Sequence, residues 1–193
     1  MPYAPTSDLG ADPPRASVSR SLPPAADRTL LGATSTLDLT FSGPFADKDV
    51  RQAFLKAVPR QAIIDAVVGD RQTDAAPLDS HVFLPAQPKY GDTVKNNGSS
   101  DYAEVDIDGA KALLDGDTPT IRILYNRDNP NRATAFSLIR DSAAQAGFQV
   151  VDAGQGSADW ARALGGGGYD AALLGWIGTA AGVSRVPQIF RTG

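Results

Sequence analysis

Apolar and polar positions alternate in two rhythms along this chain, and the change from one to the other marks its elements. Between Thr120 and Thr179 the order reads strand, helix, strand, helix, strand. Thr120-Ile-Arg-Ile-Leu-Tyr125 alternates through its first half, as a strand with one buried face does. The turn cluster Asn126-Arg-Asp-Asn-Pro130 opens a predicted helix over 131–146, with Ala135, Leu138, Ile139, Ser142 and Ala146 on one face. Gly147 stands where a left-handed cap closes such a helix. Residues 148–152 are predicted as a second strand, 158–164 as a short helix and 169–175 as a third strand. Helices of this length between strands make parallel crossovers. The fold class is therefore α/β, with a mainly parallel sheet flanked by helices. Ligands of such sheets meet the carboxyl ends of the strands. Here those ends carry Tyr125 and Asn126, and Gly175, Trp176, Ile177 and Thr179.

Upstream, Thr36-Leu-Asp-Leu-Thr-Phe41 alternates strictly and is predicted as a half-buried strand, broken by Ser42-Gly43-Pro44. Asp47 is placed to cap a helix carrying Val50, Phe54 and Ala57 on one side. Pro59 interrupts that helix but suits the first turn of a new one. The new helix, 60–68, is expected to bury Ile63, Ile64 and Val67 and to end at Gly69. Residues 70–103 are long and polar, and a loop of that length is normally functional or mobile. A helix over 107–114 then packs Ala110, Leu113 and Leu114. Residues 1–34, rich in Pro, Ala, Ser and Asp, are read as an extended, partly disordered lead-in, with an edge strand expected at 16–20. Residues 35–193 are read as one α/β lobe.

Composition narrows the chemistry. The net charge is −4 with no basic block, so no nucleic-acid partner is expected. Cysteine is absent, which removes disulfides and thiol chemistry. No apolar run approaches the roughly 18 to 20 residues that span a bilayer. The start, Met-Pro-Tyr-Ala-Pro-Thr, has neither the basic nor the apolar part of a signal peptide. Val186 to Gly193 runs out without a closing element, which points to a chain truncated at its carboxyl end. His81 is the only histidine, so a zinc site of His and Cys is excluded and a Ser-His-Asp triad has a single possible base. A surface histidine is the plainer reading. Asp106 and Asp108 straddle a helix start, where carboxylates stabilise the free amides. Gly165 to Gly168 leads from helix into strand, the reverse of a phosphate loop, and reads as a flexible connection. No catalytic, metal or cofactor site can be assembled, and no Gly-x-Ser-x-Gly elbow supports a small α/β hydrolase.

The two tryptophans differ in context. Trp160 lies in the first turn of a helix and could pack that helix on the sheet. Trp176 follows the third predicted strand between Gly175 and Gly178. An indole there either stacks on a ligand, with glycines opening the backbone to it, or closes the base of the lobe.

Three segments together resemble the extracytoplasmic solute-binding proteins of peptide and nickel ABC transporters, the family 5 type, in its actinobacterial branch. Phe45-Ala-Asp-Lys-Asp-Val-Arg-Gln-Ala-Phe54, continuing to Arg60-Gln-Ala-Ile-Ile-Asp-Ala-Val-Val-Gly69, is similar to that family's helix pair. Asp106 to Leu114 resembles its next helix, leading into the strand at Ile123-Leu-Tyr-Asn126. Tyr169-Asp-Ala-Ala-Leu-Leu-Gly-Trp176 resembles its Y-D-x-x-x-x-G-W strand. The resemblance implies a periplasmic-binding-protein-like lobe, the second of a two-lobed clamp, without catalysis of its own. It implies a peptide or small solute held against Gly175, Trp176, Ile177, Thr179, Tyr125 and Asn126, a first lobe in the same full-length protein and an ABC permease as partner. It also implies an extracytoplasmic, envelope-anchored lipoprotein. A regulatory or scaffolding protein of the cell envelope built on the same fold is the alternative. Two positions depart from the pattern. Pro59 stands where the family has Asp before Arg, and Thr179 stands where peptide binders often place an Asp for the ligand's amine.

Overall fold

The computed structural model describes residues 33–70, 75–80, 83, 85 and 87–177, with the backbone alone at 33, 34, 176 and 177. The edge strand expected at 16–20 lies outside them. The chain forms β1 (Ala33–Leu39), a 3-10 turn (Gly43–Ala46), α1 (Lys48–Lys56), α2 (Arg60–Val68), α3 (Tyr90–Val94), a second 3-10 turn (Ser99–Tyr102) and α4 (Ile107–Leu114). It continues through β2 (Thr120–Leu124), α5 (Pro130–Ala146), β3 (Gln149–Asp152), α6 (Ser157–Gly166) and β4 (Ala171–Ile177).

The strands make one sheet in the order β1-β4-β2-β3. β2 pairs parallel with both β3 and β4, as the two crossovers require, and β1 adds antiparallel to the outer edge of β4. Alternation in β2 buries Ile121 and Ile123 while Thr120 and Arg122 face out. β1 starts three residues earlier than alternation places it and ends at Leu39. That early start gives β4 a partner farther along, Thr34 opposite Trp176 and Ala33 opposite Ile177. β4 accordingly runs two residues past Gly175, so Trp176 stands within the strand rather than after it.

The core lies between the sheet and the layer of α1, α4 and α5. Phe45, Phe54 and Phe148 meet in it, with both ring pairs at 5.2 Å. All three are buried. The buried stripe of α5 is Ala135, Phe136, Ile139, Ser142, Ala143 and Ala146. Leu138, expected on that face, is only half-buried, because the stripe follows the 3.6-residue period through Phe136 and Ala143 instead. Gly147 ends the helix at φ 111°, a conformation open to glycine at no steric cost.

Local caps follow the sequence closely. Asp47 accepts the amides of Asp49 and Val50 to start α1, and Asp106 accepts that of Gly109 to start α4. Lys56 reaches back to Asp106 at 2.8 Å, tying the end of one helix to the start of the other. The hydrogen bond from Lys56, followed by that from Gly109, holds the Asp106 carboxyl below its ordinary pKa. In α2 the expected burial is incomplete: Ile63, Ile64 and Val67 are all half-buried, and no residue of the helix is fully covered.

The polar stretch 70–103 is more built than its composition suggests. It holds α3 and the second 3-10 turn. Arg60 pins it by donating to the Asp79 carboxylate at 2.8 Å and to the carbonyls of Leu78 and Tyr102. Asn97 adds a bond to the Asp79 carbonyl at 2.7 Å.

Candidate functional site

The strand ends form two levels. β2 meets β4 only at Ile123 opposite Ala171 and Leu124 opposite Ala172. Beyond Ala172, β4 is paired on the β1 side alone, through Ile177. The β1–β4 pair therefore rises past the end of β2 as a ribbon of five residues, roughly 16 Å at strand rise. Beside it, β2 and β3 turn over into a lower shelf.

That shelf is held by backbone and side chains together. Asn126 and Gln155 continue the parallel pairing as an isolated bridge. The Gln155 amide donates to the Tyr125 carbonyl at 2.9 Å, and the Arg127 amide donates to the Gln155 carbonyl at 2.8 Å. Asp152, at the end of β3, accepts from the Tyr125 hydroxyl at 3.1 Å, from Arg127 Nη2 at 3.2 Å and from the Gly154 amide at 2.7 Å. Burial opposes its charge, but the Gly154 amide, Arg127 and Tyr125 outweigh it and hold the carboxyl below its ordinary value. Burial pushes the Tyr125 hydroxyl up.

The Tyr125 ring is buried and stacks on Phe136, centroids 4.7 Å apart and planes 15° from parallel. Next to that ring the chain must be glycine: a Cβ on Gly154 would lie 2.6 Å from Tyr125 Cε1. Asn126 is likewise engaged at both ends of its amide. Its Nδ2 donates to Ser157 Oγ at 3.1 Å and its Oδ1 accepts the Asp128 amide at 3.0 Å. Asp128 in turn accepts the Ser157 amide at 2.8 Å. Gly156, the N-cap residue of α6, has no side chain to offer its own helix, so Asp128 caps it from the neighbouring loop. The Ser157 amide and hydroxyl keep Asp128 ionised below its ordinary value.

The sequence-predicted residues thus divide. Tyr125 and Asn126 come together on the shelf, with Asp152, Gly154, Gln155 and Ser157 around them. Gly175 is exposed on the ribbon opposite Ser35. Trp176 and Ile177 are placed by backbone on the same ribbon. Thr179 lies outside the described residues, as does His81. The second strand's end was missed in the sequence, although Asp152-Ala-Gly-Gln-Gly156 follows a predicted strand with the same glycine punctuation that drew attention to Gly175. Trp160, in the first turn of α6, is half-buried. Among the described residues no group of three His, Asp or Glu gathers to hold a metal, and no helix is long and apolar enough to cross a membrane.

The sequence that folds into this sheet matches a known family. The family described as "Bacterial extracellular solute-binding proteins, family 5 Middle" matches residues 13–192. The chain belongs to this family. It is 30% identical over 154 residues to the oligopeptide-binding protein OppA of Mycobacterium tuberculosis, covering 75% of this chain and 26% of that protein. It is 28% identical over 137 residues to di/tripeptide-binding protein 1 of Pseudomonas aeruginosa, covering 70% and 25%. The chain therefore spans about a quarter of the length of these relatives. The fold is that of a putative peptide-binding protein AppA from Clostridium difficile, at TM-score 0.62 and 19% identity over 87% of this chain and 36% of that one. Family 5 proteins are extracytoplasmic binding proteins of transport systems, not enzymes.

Proposed function

We propose that this chain is the second lobe of the substrate-binding component of an ABC transporter that takes up peptides or another small solute. The ligand lies in a cleft between this lobe and a first lobe of the same full-length protein. An envelope anchor keeps that protein beside its membrane permease. The observation that carries this reading is the two-level strand end, a shelf at Tyr125–Asn126 beside a ribbon ending in Gly175, Trp176 and Ile177. Such a step gives one wall and part of the floor of a cleft, and a second lobe would close it. On the shelf, Tyr125 and Asn126 are spent on the framework, so they set the position of neighbouring groups. Trp176, whose backbone lies on the ribbon, is the residue whose indole this reading assigns to stacking on the ligand.

The test is calorimetry with a pool of tri- and tetrapeptides. The two-lobed protein is expected to bind, and Trp176→Ala to abolish binding while leaving its melting midpoint nearly unchanged. The present chain alone, with one wall, is expected to bind no tighter than about millimolar, roughly 4 kcal/mol. Micromolar binding by this chain alone would place the site wholly within it, and full binding by the Trp176→Ala protein would remove the indole from the site.

A further inference from the structure

Asn97 stands between α3 and the second 3-10 turn, and Gly98 follows it. Of the chain's asparagines, at 96, 97, 126, 129 and 131, Asn97 alone precedes a glycine. Both residues are exposed and Gly98 holds φ 77°, so no side chain screens the backbone nitrogen of Gly98. Among the described residues nothing accepts a hydrogen bond from that nitrogen. The Asn97 side chain is fixed at both ends of its amide. Its Oδ1 accepts the Ser99 amide at 3.0 Å, which draws electron density away from Cγ, and its Nδ2 donates to the Asp79 carbonyl at 2.7 Å. Asp79 is also held elsewhere: its carboxylate accepts from Arg60 at 2.8 Å, and its amide donates to the Tyr90 hydroxyl at 3.3 Å.

We propose that Asn97 is a site of spontaneous deamidation, and that its conversion unties the turn at 97–102 from Asp79. The Gly98 nitrogen gives up its proton to solvent base and bonds to Asn97 Cγ. The Cγ–Nδ2 bond breaks, and Nδ2 takes a proton from water and leaves as ammonia. Water then opens the cyclic imide at either carbonyl, leaving aspartate or isoaspartate at position 97. Either product carries a carboxylate, which accepts hydrogen bonds and donates none. An acceptor then faces the Asp79 carbonyl where a donor stood. Isoaspartate also adds a methylene to the main chain just ahead of Gly98. No residue of 75–102 belongs to the buried core cluster, so the change loosens this segment and leaves the packing of the sheet and α5 in place.

The experiment incubates the present chain in mildly alkaline and in acidic buffer and maps it by peptide mass spectrometry, with an isoaspartyl methyltransferase to detect isoaspartate. Acid and isoaspartate are expected to accumulate at position 97 in alkaline buffer, while Asn96, equally exposed beside it, keeps its amide. The Asn97→Gln chain, which lacks the five-membered ring closure, should gain neither. Hydrogen–deuterium exchange then compares Asn97→Asp with the wild type. Faster exchange is expected at 75–80 and 97–102, with α5 unchanged as the sign that the variant has folded. Retention of the amide at position 97 for as long as at 96 overturns the inference. So does exchange in Asn97→Asp that is unchanged at 75–80 and 97–102, or that rises in α5 as well.

Discussion

The two ends of the sheet are built to different standards of completeness. At the amino end, Phe45, Phe54 and Phe148 close the core with no exposed surface to spare. There, buried Asp170 accepts the Arg122 amide at 2.8 Å, its Nε at 3.0 Å and its Nη2 at 2.9 Å. The Asp170 carbonyl also takes the Thr40 amide at 2.8 Å, fastening the exit of β1. At the carboxyl end, Asp152 and Asp128 are equally occupied, but the strands stop at different heights. One end is finished by the chain itself. The other stops in a step, with β4 paired on the β1 side alone beyond Ala172.

The comparison can be broken most severely at the finished end. Phe54→Ala removes a ring in contact with two others from a site that is fully buried, and is expected to cost about 4 kcal/mol. That is a large part of a typical domain's stability, and urea unfolding followed by circular dichroism would measure it.

Asp170→Asn comes next, at about 2 to 3 kcal/mol, because the charged acceptor of three hydrogen bonds is lost. Burial opposes the Asp170 charge, while the side chain and amide of Arg122 more than compensate and depress its pKa below 3.8. A depressed folded-state value means that its contribution is full above the unfolded value and is lost as pH falls through the folded one. Stability of the wild type should therefore drop below about pH 4, and the Asn variant should show a shallower drop in the same window.

At the carboxyl end a smaller effect with a different signature is expected. Gly154→Ala would set a methyl 2.6 Å from the Tyr125 ring and 2.9 Å from Asp152 Oδ1. The cost is expected at about 1 to 3 kcal/mol, with the Tyr125 and Phe136 ring resonances displaced while those of Phe45 and Phe54 stay put. Trp160→Ala should be the mildest, about 1 to 2 kcal/mol, since the indole is only half-buried. A larger loss there would show that α6 depends on that side chain for its seat.

Much of the amino end was legible in the sequence because local rules fix it. Asp47 and Asp106 cap their helices and Gly147 adopts the left-handed turn, as their positions indicate. Alternation in β2 and the helix over 107–114 hold residue for residue. Less legible were features that depend on a distant partner. β4 runs on to Ile177 because β1 starts early, which the local pattern at either strand does not contain. Asp128 caps α6 from 29 residues away. Phe136 joins the buried stripe with a stack on the Tyr125 ring, a partner eleven residues away that the local pattern does not contain. In the candidate site, the rule of strand ends singled out Tyr125 and Asn126 but not Asp152 and Ser157, which bond to them from distant positions in the chain.

Hydrogen–deuterium exchange of the two-lobed protein, with and without the peptide pool, tests the difference between the two ends most directly. Added peptide should slow exchange at residues 125–132 and 175–177 and leave the segments around Phe45, Phe54 and Asp170 unchanged. Protection centred on the amino end, or none at the carboxyl end when peptide is bound, would contradict the account.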